Sequence, residues 1–155
     1  MTKSGKIVFG IAGLIGIGLA WKYIRETLNK FRFKVSAYGV PSYENWLLRL
    51  PITLQFNNPT GITINTDQVL VDVYVRIATG EFIHVGRVLQ PITIGPGQSY
   101  QTVVPVLNLQ AVAGTLANSI KNILAAKSVT IRTDLTVTYK GIKLPTQEFI
   151  DTVKL

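Results

Sequence analysis

Residues 69–77 read VLVDVYVRI, and the pattern of this segment indicates the fold class. Its valines and its final isoleucine occupy every second position, and polar side chains such as Asp72 and Arg76 lie between them. This alternation places one face of an extended strand in a core and the other in water, which is typical of antiparallel sheets. The same period of two recurs in residues 48–56 and 129–139. The region that contains these runs is therefore predicted to be mainly β.

The interruptions between these runs have the composition of turns. Asn57-Asn58-Pro59-Thr60-Gly61, Gly95-Pro96-Gly97 and Lys140-Gly141 combine residues that accept the unusual backbone angles of tight turns. Short strands separated by such turns are typical of two sheets packed face to face. We predict an antiparallel sandwich of about seven strands, at residues 32–39, 47–57, 68–78, 82–90, 99–107, 128–140 and 142–154.

One segment within the predicted sandwich has a different period. Residues 109–126 read LQAVAGTLANSIKNILAA, and their larger apolar side chains recur at the spacing of a helix. The alanine content also favours a helix, because alanine has the highest helix propensity. We predict one helix packed across an open end or face of the sandwich, with an apolar stripe formed by Val112, Leu116, Ile120, Ile123 and Leu124.

The N-terminal segment, residues 1–30, differs in composition from the rest of the chain. Residues 7–21 read IVFGIAGLIGIGLAW without a charge, and the span extends to residue 24 if the side chain of Lys22 reaches the interface. A helix of about 18 residues is roughly 27 Å long, close to the roughly 30 Å of a hydrocarbon core. We predict a single N-terminal transmembrane helix that anchors a β domain comprising residues 31–155.

Two other interpretations of this apolar segment are weaker. A cleaved signal peptide has the same basic start and apolar middle, but no convincing small-residue cleavage site precedes Trp21. A buried helix of a soluble domain normally keeps a polar face, which this uncharged run does not provide. After the span, the i, i+4 spacing of Lys22, Glu26 and Lys30 allows the helix to continue in water to about residue 30.

Particular side chains in and around the predicted span indicate its contacts. Small residues on one helical face let a neighbouring helix approach closely. Aromatic residues after the span match an interfacial belt, and basic side chains near a bilayer interact favourably with anionic headgroups, at about 1 kcal/mol each. The candidate helix-packing residues are Ala12, Gly13, Gly16 and Ala20, and the candidate headgroup and interface residues are Lys3, Lys6, Trp21, Lys22, Tyr23, Arg25, Lys30, Arg32 and Lys34.

The net charge of +8 is concentrated around the apolar segment. Residues 1–34 contain seven basic side chains and one acidic side chain, whereas residues 35–155 contain nine basic and seven acidic ones. The excess charge therefore flanks the predicted span, which favours lipid headgroups over nucleic acid as the partner. The larger basic excess after the span favours, weakly, a cytoplasmic position of the domain.

Aromatic residues are interleaved with basic ones just after the predicted span, a pattern that can bind single-stranded nucleic acid. The alternation of Phe31 and Phe33 instead favours core positions for both. Tyr43 and Trp46 are expected to anchor a loop near the bilayer. No nucleic-acid partner is therefore expected.

The sequence lacks the residue patterns of common catalytic and metal sites. It has no cysteine, and its single histidine, His84, is predicted to face solvent from a strand. The eight carboxylates are scattered along the chain, and no acid–base pair stands out among them. We therefore expect no cofactor, no bound metal and no enzymatic activity.

Four segments follow one another in a recognisable order. They are a strand ending in Asn58-Pro59, the strand 69–77 followed by Val85-Gly86-Arg87, Ile94-Gly95-Pro96-Gly97-Gln98 before Val103-Val104-Pro105-Val106, and a hairpin ending in Gly141-Ile142-Lys143-Leu144-Pro145. In this order they resemble the late-embryogenesis-abundant (LEA) type 2 family, also called the WHy (water stress and hypersensitive response) domain family, over about residues 33–155. The resemblance implies a fibronectin-like or immunoglobulin-like β-sandwich without a catalytic site, roles in stress protection, at membrane surfaces or in interactions, and in many members an N-terminal membrane helix.

These features predict a non-enzymatic, membrane-anchored structural or interaction protein, of stress-protective or envelope type, that presents the sandwich at a membrane surface. One alternative is a minor structural protein of a virus, which would link an internal membrane to the capsid. Another is a lipid-binding or lipid-transfer domain, which would need a cavity between the sheets and the helix at 109–126. The expected partners are a bilayer with anionic headgroups and a protein, in the viral case within a larger assembly.

Overall fold

The computed structural model describes residues 22, 25–26, 28–108 and 127–154. Contacts between residues divide the chain into two units, Met1–Phe31 and Arg32–Leu155.

The described residues of the first unit have helical backbone at 22, 25, 26 and 28–30, in agreement with a helix that continues to Lys30. Lys22 and Glu26 form an ion pair of 4.0 Å between largely exposed side chains, which contributes little to stability. Within the described ranges, no helix is both long enough and apolar enough to cross a membrane. The predicted span, residues 7–24, falls outside those ranges except for Lys22.

The described part of the second unit consists of antiparallel strands and their connections, which confirms the predicted mainly β fold. Every pairing between its strands is antiparallel. The strands are β1 (Arg32–Tyr38), β2 (Ser42–Glu44), β3 (Leu47–Arg49), β4 (Ile52–Asn58), β5 (Ile64–Asn65), β6 (Gln68–Arg76), β7 (Phe82–Gln90), β8 (Thr93–Ile94), β9 (Gly97–Val103), β10 (Val106–Asn108), β11 (Ser128–Tyr139), β12 (Ile142–Lys143) and β13 (Gln147–Lys154).

The larger sheet is built around β11, which pairs with β6 on one side and with β12 and β13 on the other, while β7 pairs with β6. One face of this sheet is apolar and inaccessible to solvent, because the alternating valines of β6 point to it together with residues of β11. The buried residues of this face include Val69, Val71, Val73, Val75, Ile131, Leu135 and Val137.

The smaller sheet has the order β1–β4–β9 and is continued by β2–β3–β10. The sequence predicts unbroken strands at 47–57 and 99–107, but each is interrupted where a proline occurs. Pro51 and Pro105 have no N–H and cannot donate to the sheet ladder. A hydrogen bond from Leu50 N to Pro105 O, 3.2 Å long, joins the strands across this interruption.

The core lies between the apolar faces of these two sheets. Ile52, Leu54 and Phe56 of β4 are fully buried, as their alternation predicts. The hydroxyls of Tyr38 in β1 and Thr133 in β11 are 3.1 Å apart and hydrogen-bond the two sheets to each other. This hydrogen bond accounts for the polar Thr133 in the core, because a buried hydroxyl is costly unless it is paired.

Two tight hairpin turns use residues with left-handed backbone. Lys140 and Gly141 have φ of 47° and 76° and connect β11 to β12, as predicted from the Lys-Gly pair. Asn45 and Trp46, with φ of 50° and 66°, connect β2 to β3, a hairpin that the sequence analysis does not predict. Left-handed backbone at both central positions matches the twist of the flanking strands. The predicted helix at 109–126 lies outside the described residues.

Candidate interaction surfaces

The predicted membrane-interface residues fall into two groups. Lys22, Arg25, Lys30, Arg32 and Lys34 are described, and all five are exposed. The remaining predicted residues, Lys3, Lys6, Ala12, Gly13, Gly16, Ala20, Trp21 and Tyr23, lie outside the described residues, and their roles stay predictions.

Asp72 is the centre of an ion-pair cluster on the outer face of the larger sheet. Its carboxylate accepts hydrogen bonds from Arg87 Nε at 2.7 Å, from Arg87 Nη2 at 3.2 Å and from His84 Nε2 at 2.8 Å. The Asp72 side chain is 10% exposed, whereas those of His84 and Arg87 are 45% and 58% exposed. The carboxylate of Asp72 thus lies beneath the side chains of His84 and Arg87, which contact water. His84 faces solvent, as predicted.

A strand irregularity makes this arrangement possible. Between Val73 and Tyr74 the pairing of β6 with β7 shifts by one residue, so that Val73 pairs with Gly86 and Tyr74 pairs with His84. The shift leaves Val85 and Gly86 both buried and turns residues three apart in sequence to the same face, as a β-bulge does. His84 and Arg87 therefore meet at one carboxylate, although strict alternation would place them on opposite faces.

Arg132 of β11 forms a second group on the same outer face. Its Nη2 donates to Asp134 Oδ2 at 3.3 Å, and its Nε lies 3.8 Å from Glu148 Oε2. The guanidinium carbon lies 4.0 Å from the ring centre of Tyr74, a stacking arrangement that arginine favours. Asp72, His84, Arg87, Arg132, Asp134 and Glu148 together are termed the charged belt.

The two aspartates of the charged belt have opposite electrostatic environments. Burial by itself raises the pKa of Asp72, but the hydrogen bonds from Arg87 and His84 outweigh it, so the pKa is lowered. Burial raises the pKa of Asp134 and, together with the smaller effects of the charges of Glu148 and Asp72, outweighs the lowering effect of Arg132. Arg132 Nε and Asp134 Oδ1 are 3.1 Å apart, yet among the described residues neither buried atom has a hydrogen-bond partner of good geometry.

The chemistry available to the charged belt is ion pairing. His84 Nε2 lies 2.8 Å from the carboxylate of Asp72, a contact that the sequence spacing does not reveal. The hydrogen bond occupies both groups with each other. A nucleophile would have to stand beside His84 for acyl transfer, and the ring neighbour there is Tyr74, edge-on at 5.1 Å. Within the described residues, no group of three or more histidine, aspartate or glutamate side chains is arranged to hold a metal ion.

The outer face of the smaller sheet has a different character. Arg32 and Lys34 of β1 lie in register with Asn57 and Gln55 of β4, and Arg49 projects from the same face of β3, the strand that leads into β4. The strands β1, β4 and β9 contain no carboxylate. The described strands β2, β3 and β10 continue this face. They contribute one acidic residue, Glu44 of the edge strand β2, which pairs in register with Leu47. On the described strands of this face, three basic side chains therefore accompany one acidic side chain.

Exposed apolar side chains lie on this same face. Tyr100 of β9 is 59% exposed, and Val104 and Val106 are 48% and 44% exposed. Val106 pairs in register with Arg49, whereas Tyr100 pairs with Gln55, which in turn pairs with Lys34. Arg32, Lys34, Arg49, Tyr100, Val104 and Val106 together are termed the basic–apolar face.

The aromatic residues predicted for the core are buried, and those predicted for a loop are exposed. Phe31 and Phe33 are buried, whereas Tyr43 and Trp46 are about half exposed. Trp46 lies at the tip of the β2–β3 hairpin with left-handed backbone, which is unusual for a bulky side chain. Whether this hairpin lies near a bilayer stays a prediction.

A groove of about 510 Å³ opens at the side of the sandwich, between the end of β1 and the end of β13. Its lining includes Tyr38, Val40, Pro41 and Lys154. The burial of Tyr38, with a smaller effect of Asp151, raises the pKa of its hydroxyl despite its hydrogen bond to Thr133. The groove lies where an edge of the smaller sheet meets an edge of the larger one. The cavity that the lipid-carrying alternative requires would involve residues 109–126, which lie outside the described residues.

The Asn-Pro motif of the family resemblance has a structural function. Asn58, at the end of β4, is fully buried. Its side-chain amide donates to the backbone oxygens of Ile62 at 2.7 Å and Gly95 at 3.2 Å, and its oxygen accepts from Thr60 N at 3.1 Å. One side chain therefore fixes both the turn after β4 and the turn before β9, so an asparagine here serves the fold.

Comparison with known proteins places this fold among solved LEA structures. No protein-family model and no curated protein matches the sequence. The solution structure of the late embryogenesis abundant protein At2g46140.1 superposes with a TM-score of 0.55 at 16% identity, covering 99% of this chain and 90% of that one. The solution structure of AT1g01470 from Arabidopsis thaliana superposes with a TM-score of 0.54 at 14% identity, covering 79% of this chain and 80% of that one. At the level of the fold the LEA resemblance is confirmed, and the described β domain has a LEA-like fold.

Proposed function

We propose that this chain is a non-enzymatic interaction module that its N-terminal segment holds at a membrane, where the LEA-like domain presents its surfaces to a protein partner. The observation that carries the proposal is the direct connection of an uncharged apolar segment with basic flanks, residues 1–34, to a β domain of this fold. Leucine and isoleucine at the centre of such a helix each favour the bilayer by roughly 0.3–0.6 kcal/mol. The glycines add little, so the basic flanks contribute to retention through anionic headgroups.

The charged belt supports the non-enzymatic part of the proposal. A catalytic carboxylate or histidine needs a reacting group within reach and a site that substrate can enter. Asp72 instead has its acceptor positions occupied by Arg87 and His84, and Arg132 lies between Asp134 and Glu148. Perturbed pKa values also arise in structural ion-pair networks, and the belt has the geometry of such a network.

The more specific parts of the proposal concern setting and architecture. The similarity to a late embryogenesis abundant protein supports a stress-protective role, and we place that role at a cellular membrane because of the apolar N-terminal segment. The two facing sheets support a fibronectin-like or immunoglobulin-like arrangement, to which residues 109–126 would add the packed helix. These assignments carry no catalytic residue, cofactor or metal.

Membrane anchoring is tested with the full-length chain in membranes that are washed with alkali and high salt. One variant carries Leu14→Lys and Ile17→Lys within the apolar segment. A matched control carries Leu89→Lys and Ile150→Lys, the same kind of change at exposed positions of the β domain. We expect the unaltered chain and the control to stay with the membranes, and the Leu14 and Ile17 variant to be released. Release of all three chains would refute the anchor.

A further inference from the structure

We propose that β9 is the docking edge for a second copy of this chain, which adds its own β9 in the antiparallel direction and joins the two smaller sheets into one. β9 lies at a sheet edge, because it pairs with β4 on one side and no described strand pairs with its other side. The N–H and C=O groups along such an edge are a template for a further strand. Pairing of this kind involves only the β domain and does not depend on the proposed membrane location.

The register with β4 shows which backbone groups of β9 point outwards. In an antiparallel ladder, residues that exchange hydrogen bonds with the partner strand alternate with residues whose N–H and C=O point away from it. Leu50 N donates to Pro105 O, and the pairing of Ile52 with Val103 continues the same register. The hydrogen-bonded positions of β9 are therefore the odd-numbered ones. The residues that direct their N–H and C=O groups away from β4 are Gln98, Tyr100 and Thr102.

The other long edge strands have features that hinder the addition of a strand. Native sheet edges are commonly protected by charged side chains, by bulges or by a covering segment. β1 contains two basic residues and an irregularity between Val35 and Ala37. β7 contains Arg87 and a bulge, and its Gly86 lies against β10. In β13 the carboxylate of Asp151 accepts a hydrogen bond from the backbone N–H of Thr152 at 2.7 Å, so this edge already has a donor occupied.

β9 has none of these protective features. It is seven residues long and contains no charged residue and no proline. Its pairing with β4 runs from Gly97 to Val103 without a register shift. Most of its side chains are exposed, including that of Tyr100, which is 59% exposed. Among the described strands, β9 is therefore the long edge that is best suited to accept another strand.

The sequence of β9, GQSYQTV, is suited to pairing with itself. When Tyr100 lies opposite Tyr100 of the second copy, Gln98 lies opposite Thr102 and Ser99 lies opposite Gln101. All of these pairs are uncharged, so identical strands meet without repulsion. Each copy donates the N–H groups of its outward-pointing residues to carbonyl oxygens of the other, and the central pair is aromatic, a combination that stabilises neighbouring strands.

The symmetry of this pairing favours a second copy over an open-ended assembly. Antiparallel pairing of identical strands has a two-fold axis, and both copies use the same edge. The other long edges of the described sheets are protected, so the assembly closes at two chains. An interface formed by one strand from each copy is small, and we therefore expect a dimer that dissociates readily.

The test uses the absence of native cysteine, which allows one cysteine to be placed in each full-length chain. One chain carries Gln98→Cys and another carries Thr102→Cys, both at exposed positions. In the proposed register, position 98 of one copy lies opposite position 102 of the other, with about 5.5 Å between their Cα atoms, which a disulfide can span. Two copies of the same position would be about 14 Å apart, which is too far for a disulfide.

The two chains are oxidised mildly in a nonionic detergent, each alone and as an equal mixture. We expect the mixture to give several-fold more disulfide-linked dimer than either chain alone. Adding Tyr100→Lys to both chains should remove this difference, because it places two lysines opposite each other at the centre of the pairing. The matched control is Ile150→Lys on the edge strand β13, where the side chain is 57% exposed. This change should leave the difference intact.

Two results would overturn the proposed pairing. Similar yields in the mixture and in the separate chains would reject the register, because association through another part of the chain, such as residues 7–24, brings the cysteines together without regard to their positions in β9. The absence of linked dimer from every sample would reject a second copy as the occupant of this edge and would favour an extended segment of another protein instead.

Discussion

Replacing Asp72 with asparagine is the most informative perturbation of the β domain. The substitution keeps the shape of the side chain and removes the charge that accepts three hydrogen bonds, from His84 and from two nitrogens of Arg87. A hydrogen bond to a charged group contributes roughly 1.5–3 kcal/mol when it is well shielded. His84 and Arg87 are about half exposed, and solvent screening weakens their hydrogen bonds to Asp72. We therefore expect Asp72→Asn to lower the free energy of unfolding by about 1–2 kcal/mol.

The pH dependence of this contribution follows from the lowered pKa of Asp72. A carboxyl group whose pKa is lower in the folded state stabilises the fold above its unfolded pKa, near 3.8, and loses that effect as the pH falls through the folded value. The difference between the unaltered chain and Asp72→Asn should therefore be full at pH 7 and shrink below about pH 4.

Asp134 provides the contrasting case on the neighbouring strand. Its pKa is raised in the folded state, so its ionisation opposes folding at pH values above the folded pKa and this penalty is relieved as the pH falls through it. Asp134→Asn should therefore leave stability at pH 7 unchanged or raise it. Asp72 and Asp134 are neighbours on adjacent strands, because they pair in register. The two variants therefore change similar positions in the sheet, and the main difference between them is the set of charged groups around each carboxylate.

Urea denaturation of the full-length chain in a nonionic detergent, followed by circular dichroism at pH 7 and pH 3, measures both effects. Asp151→Asn, an exposed change on β13, serves as the control and should be near neutral. If Asp72→Asn lies within about 0.3 kcal/mol of the unaltered chain, or if Asp134→Asn is equally destabilising, the description of the charged belt is wrong, because isolated surface changes usually stay within about ±0.5 kcal/mol.

The remaining predictions concern packing and turns. A Cβ at Gly86 would lie 2.5 Å from Leu107 Cδ2, so Gly86→Ala should cost about 1–3 kcal/mol, whereas Gly95→Ala, with nothing within 4 Å, should be near neutral by the same denaturation assay. Asn58→Ala should cost about 2–3 kcal/mol because it leaves buried turn carbonyls without donors, and a change in midpoint below a quarter of that would contradict the assigned role. Lys140→Asn should stabilise the β domain by about 0.5–1 kcal/mol, since asparagine accepts left-handed backbone more readily. A lower melting temperature of this variant would contradict the turn geometry.

The long strands of the sandwich could be predicted from sequence because their alternation is strict. The run at 69–77 and the apolar positions of β4 face the core as their period requires. The interruptions at Pro51 and Pro105 also had a local signal, the missing N–H of proline. The hydrophobic period continues through both prolines and therefore predicts two long strands where the structure has four shorter ones.

The charged belt was not predictable in the same way. Its residues come from four strands, and only the sheet register brings Asp72 beside Arg87 and Asp134 beside Glu148. The bulge at Gly86 shifts Arg87 to the face of His84, against strict alternation. A glycine inside a strand is a known signal of a bulge, but it does not specify which residues the bulge brings together.

The basic–apolar face shows a similar limit of sequence reasoning. Arg32 and Lys34 were predicted as headgroup contacts from their position after the span. Arg49, Tyr100 and the exposed valines join them only through pairing across β1, β4 and β9 and their continuation. Counting charge along the chain shows where basic residues are concentrated, whereas the sheet register shows which of them share a face.

Hydrogen exchange of the full-length chain, with and without vesicles of anionic lipid, tests whether residues 7–24 enter a bilayer. We expect the backbone amides of residues 7–24 to exchange slowly with vesicles present and rapidly in their absence, because a helix in hydrocarbon satisfies its backbone internally and excludes water. The strands of the sandwich should be protected in both conditions. Equally rapid exchange of residues 7–24 with and without vesicles would contradict membrane anchoring.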